Sequence, residues 1–174
     1  MTDQPAIASR ILGAGRAALR WALGLLLIAM VLLNVANAAG RYLFGRAIAG
    51  ADELLVFSMV WLVFAGVVLV TAEGRHLRLD LGQSLFSGRL GAFRAALINL
   101  MIAVLCFYVA LQSWEIIGRL GQIGQRSMAL GIPMVVPHAA IAIGLAATAL
   151  VALLLAFGQV RRIMVPDSGG DREI

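Results

Sequence analysis

The chain has 174 residues, 61% of them apolar and only 13% charged, with a mean hydropathy of +0.94 and a net charge of +5. A soluble domain carries about 25% charged residues, so this composition excludes a water-soluble fold and points to lipid. The length suits one compact bundle without a second domain.

The elements follow in chain order. A helix crosses a hydrocarbon core of about 30 Å with ~20 apolar residues. Four runs meet that length: 21–39, 54–72, 93–117 and 135–157. Backbone groups in lipid must bond within their own segment, which predicts four transmembrane helices. The expected fold is an all-α membrane protein, a single four-helix domain over 1–165 with a disordered tail at 166–174. Arg20 before an apolar run ending Ala36-Asn37-Ala38 also resembles a secretory signal. The run is longer than the 7–15 residues of such signals, which favours a retained span.

Charge gives the orientation. The basic residues are all arginines. Nine lie before the first run, between the second and third, or after the fourth, with Arg94 at the near edge of the third run making ten on that side, and four lie in the other two connections. The richer side is cytoplasmic by the positive-inside rule, so both termini are expected inside. In the connection between spans 2 and 3, Leu77, Leu81 and Leu85 recur every fourth residue. That spacing suits a short interfacial amphipathic helix; a plain polar loop is the alternative.

Polar residues within the spans are few. Asn34 and Asn37 are three apart and neighbours on one helix. They suit an ion or substrate ligand or, more economically, hydrogen-bonded glue between helices. No carboxylate lies deep in a run: Asp52, Glu53 and Glu115 are near span ends. That argues against an independent small proton-coupled exporter, which needs an ionisable group inside the membrane. A redox-anchor subunit with a bis-histidine haem is the other alternative. His76 and His138 fall on opposite sides of the expected topology, too far apart to share one iron. No Cys/His cluster, catalytic motif or nucleic-acid surface is present, so no cofactor, metal or enzyme activity is expected. The single Cys106 precludes an intramolecular disulfide.

Arg41 and Glu53 flank the first connection and suit an ion pair across it or, alternatively, contact with a partner protein. Tyr42 and Phe44 suit the headgroup belt. Trp61 lies near mid-span and is expected against another helix, of this chain or of a partner. Gly66 and Gly144 are expected to let helices approach closely.

An ordered set of residues resembles a known family. Arg41-Tyr42-Leu43-Phe44, Asp52-Glu53-Leu54, Trp61-Leu62-Val63-Phe64-Ala65-Gly66 and His76-Leu77-Arg78-Leu79-Asp80 stand at spacings similar to the DctQ-type small membrane subunit of TRAP (tripartite ATP-independent periplasmic) transporters. Ser127 through Ile132-Pro133-Met134 to Ile143-Gly144 resembles that family's entry into its fourth helix. Gly50, Val135 and Ala142 depart from its pattern, which often has Trp, Trp and Pro there. The resemblance implies a scaffold in the bacterial inner membrane. Its partners would be a large sodium-coupled membrane subunit, a periplasmic substrate-binding protein and lipids. It implies interfacial or structural roles for Arg41, Tyr42, Glu53, Trp61, Gly66, His76, Asp80 and Pro133, beside the structural role that spacing suggests for Asn34. His76 and Asp80, four apart, suit a pair on one helical face, and anchoring at the lipid interface is the alternative.

Overall fold

A computed structural model of the protein describes residues 4–73 and 89–164. Its four helices are α1 (Gln4–Phe44), α2 (Ala51–Ala72), α3 (Arg89–Ile123) and α4 (Val135–Met164). Each is long and apolar enough to cross a membrane. No strand forms among the described residues, only one isolated bridge between Arg126 and Pro133. The amphipathic segment 77–85 with His76 and Asp80, and the tail 166–174, lie outside the described residues.

The helices overrun the apolar stretches. α1 has 41 residues, about 60 Å of helix against ~30 Å of hydrocarbon. Ala, Leu and Arg on the flanks are good helix formers, so the helix does not stop where hydrophobicity stops. It stops at the left-handed Gly45, as α3 stops at the left-handed Gly124.

The arrangement is an open row rather than the expected compact bundle. Among the described residues α1 packs on α2 alone, α2 on α1 and α4, α4 on α2 and α3, and α3 on α4 alone. The physical reason is the solvent. Lipid tails are as apolar as leucine, so helices gain by meeting only where small side chains or hydrogen bonds improve on lipid.

Both kinds of contact occur. Ala96, Ala103 and Ala110 of α3 are buried at seven-residue spacing, as are Ala142, Ala149 and Ala156 of α4. A seven-residue repeat keeps one seam facing a partner helix along its length. Ala103 and Ala149 line the same groove between the two helices, and Asn99 Nδ2 reaches Gln159 Oε1 at 3.5 Å. α2 and α4 approach closely at Gly144, where an added Cβ would lie 2.6 Å from Phe64 Cβ. Between α1 and α2 an ion pair of Arg20 with Glu73 ties one end.

Gly66 differs from expectation. Among the described residues nothing lies within 4 Å of where its Cβ would be, so it does not serve a close approach of the described helices.

Candidate functional site: the polar rim

The connections 45–50 and 124–134 meet at one end of the row and form its most organised polar structure. The first connection is held from below by Asn37, which is 4% exposed. Its Oδ1 accepts the Ile48 N–H at 2.8 Å, and its Nδ2 donates to Asp52 Oδ1 at 3.2 Å. The amide thus fixes both the loop and the first turn of α2. Asp52 and Glu53 in that turn also suit the positive end of the helix dipole.

The second connection is a short hairpin. Ser127 N–H donates to Ile132 O at 2.9 Å, and Met134 N–H donates to Gln125 O at 3.0 Å. The Arg126 guanidinium donates to Gly131 O at 3.1 Å. Ser127 Oγ accepts the Ile132 N–H at 3.1 Å. Pro133 is exposed; its carbonyl accepts the Val136 N–H at 3.0 Å as α4 begins.

Glu53 joins the two. Its carboxylate accepts the Ala129 N–H at 2.9 Å and the Leu130 N–H at 3.0 Å, one on each oxygen. Hydrogen bonds to a charged acceptor are stronger than neutral ones. Beside it, Gly50 has φ +77°, and a Cβ there would fall 2.4 Å from Leu130 Cδ2. Tryptophan, the residue often found there in the resembled family, does not fit this loop–loop contact.

The expected Arg41–Glu53 ion pair is not formed. Arg41 Nη2 instead lies 4.0 Å from Asp52 Oδ2. Successive residues on a helix point about 100° apart, so Asp52 faces α1 while Glu53 faces the hairpin. Both partners of the Arg41–Asp52 pair are largely exposed, where such pairs contribute about 0–1 kcal/mol. Arg41→Gln is therefore expected to lower stability by less than about 1 kcal/mol, with the difference vanishing in high salt. Denaturation at low and high ionic strength measures it.

The remaining residues divide clearly. Tyr42 is 85% exposed and Trp61 37% exposed, so Trp61 is only partly covered by this chain. Asn34 is exposed although Asn37, one turn away, is buried. Sequence reasoning missed Met128, which at 102% exposure projects wholly from the hairpin tip. A cleft of about 590 Å³ runs beneath it, with Glu53, Phe57, Gln125 and Met134 in its walls. A hydrogen-bonded loop presenting an apolar tip over a largely apolar cleft rimmed by Glu53 and Gln125 can recognise a protein surface; it offers no nucleophile–base pair. Among the described residues no three His, Cys, Asp or Glu side chains gather. His138 Nδ1 lies 2.8 Å from Met134 O, within its own helical turn.

Comparisons with known proteins bear on these features. The family described as "Tripartite ATP-independent periplasmic transporters, DctQ component" matches residues 16–162. A curated relative, "Uncharacterized protein y4mM" of Sinorhizobium fredii (strain NBRC 101917 / NGR234), is 32% identical over 137 residues. That match takes in 77% of this chain but 25% of the relative, so the chain spans about a quarter of the relative's length. No solved structure matches.

Proposed function

This chain belongs to the DctQ component family of tripartite ATP-independent periplasmic transporters, and from that premise we propose that it braces the large sodium-coupled membrane subunit and helps dock the periplasmic substrate-binding protein. As the family's small component it is a multi-pass membrane protein that works in solute transport. The finer reading is uptake of organic anions, such as dicarboxylates or sugar acids, across the bacterial inner membrane, with both termini cytoplasmic. The polar rim is then periplasmic.

One observation carries the bracing role: the helices form an open row. A row does not enclose a pathway, but it offers two broad apolar faces. The docking role draws on the rim, where Glu53 holds the Met128 hairpin in a fixed pose.

The experiment is co-expression with the large subunit, followed by affinity purification and uptake in vesicles supplied with the binding protein. The wild-type chain is expected to co-purify and to be required for uptake. Glu53→Gln removes the charge that holds two hairpin N–H groups, and it is expected to lower uptake at limiting binding protein more than at saturation. Solute transport by this chain alone in liposomes overturns the reading.

A further inference from the structure

Asn34 is a span amide that the fold leaves exposed and unexplained. In α1, 21 residues separate Arg20 from Arg41, which at 1.5 Å per residue matches the ~30 Å of a hydrocarbon core. Asn34 precedes Arg41 by seven residues, about 10 Å of helix. It therefore lies within the hydrocarbon, slightly to the rim side of its middle.

Several other amides and hydroxyls in the spans are satisfied within the chain. Thr71 Oγ1 donates to Val67 O, Ser113 Oγ to Val109 O, and Thr148 Oγ1 to Gly144 O. Asn99 Nδ2 donates to Ala95 O and reaches Gln159. Asn37 is engaged on both sides by Asp52 and Ile48. The exposed Asn34 has no hydrogen-bond partner among the described residues. On the same helical face Leu27 and Val31, seven and three residues before it, are each more than half exposed.

This pattern discriminates between occupants. Acyl chains cover Leu27 and Val31 well, but offer nothing to an amide with two donors and an acceptor. A neighbouring helix covers the same side chains and also supplies a hydrogen bond, which strengthens helix association in membranes. We propose that Asn34 is the polar anchor of an interface with a transmembrane helix of the large subunit, which presents an amide, hydroxyl or free backbone carbonyl at that depth. The proposal rests on the bracing role above. The relative argues for a larger partner over a second copy: there the homologous segment is a quarter of one continuous chain, so that unit is accompanied by a much larger one.

The test uses the full chain co-expressed with the large subunit, in wild-type, Asn34→Leu and Asn34→Gln forms. Complex retention is measured during detergent purification, and association is measured by energy transfer in vesicles. Asn34→Leu is expected to weaken association roughly three- to twentyfold, the range that interhelical hydrogen bonds support. Asn34→Gln should stay within about twofold of wild type. The chain alone should melt unchanged, since Asn34 bonds to nothing among the described residues. Wild-type association with an unaffected Asn34→Leu variant overturns the anchor and leaves the bracing role standing. Absence of any wild-type complex overturns both. A photo-crosslinker at position 34 that captures only lipid, or only a second copy of this chain, also overturns the proposal.

Discussion

Gly144→Ala is expected to destabilise the folded chain by about 1–3 kcal/mol, the usual effect of adding volume to a packed contact. The new Cβ would lie 2.6 Å from Phe64 Cβ, 3.1 Å from Phe64 O and 3.2 Å from Phe64 C. These atoms belong to the α2 backbone or are fixed directly to it, so no rotamer change relieves the overlap. The helices must separate, and the small-residue contact that makes packing better than lipid is lost. Alanine also favours the helix over glycine by up to ~1 kcal/mol, which opposes the clash without cancelling it. Gly66→Ala is the matched control. It carries the same propensity gain and meets nothing within 4 Å, so the isolated chain should hold or slightly gain stability. Equilibrium unfolding of both variants in the same detergent gives the comparison. Equal stabilities mean that α2 and α4 do not cross at Gly144. A Gly66→Ala variant that is stable alone yet impaired in the complex would put the partner against that part of α2.

The contrast between these two glycines shows how far the sequence can be read. Length and hydropathy are one-dimensional properties, and they suffice to count the four helices. Which helices touch is another matter. α2 is apolar all round, so its residues do not reveal the face that meets α4, and Gly66 and Gly144 look alike in the chain. The α3–α4 seam did leave a trace, the seven-residue alanine spacing at 96, 103 and 110 and at 142, 149 and 156, which is visible once those two runs are compared. The rim was legible in part. Glu53 stands out as a carboxylate at a span boundary, and Arg41 as a basic residue at the other boundary of the hairpin. Its actual partners are the N–H groups of Ala129 and Leu130; every residue except proline carries one, and so no letter marks them. The two asparagines show the same limit. Three-residue spacing makes them neighbours on the helix surface, but the fold of residues 45–50 covers one and leaves the other bare.

That covered asparagine carries the second large effect. Asn37→Leu is expected to lower stability by about 1–3 kcal/mol, the range for leaving a buried polar group unpaired. The side chain is buried, and its amide oxygen is the acceptor for the Ile48 N–H. Leucine fills the space but accepts nothing, so the first connection loses its internal tie while Asp52 loses a donor. Asn37→Asp separates these two contributions. It keeps an acceptor for Ile48 but turns a carboxylate toward the Asp52 carboxylate, replacing attraction with like-charge repulsion. Asn37→Asp combined with Asp52→Asn reverses the pair and should recover much of the loss, because an amide again faces a carboxylate. A double-mutant cycle over these variants measures the coupling directly. A coupling near zero removes Asn37 as the joint between α1 and α2. A coupling of ~1 kcal/mol or more makes it the element that sets the height of the rim, and through Glu53 the pose in which the Met128 hairpin meets its partner.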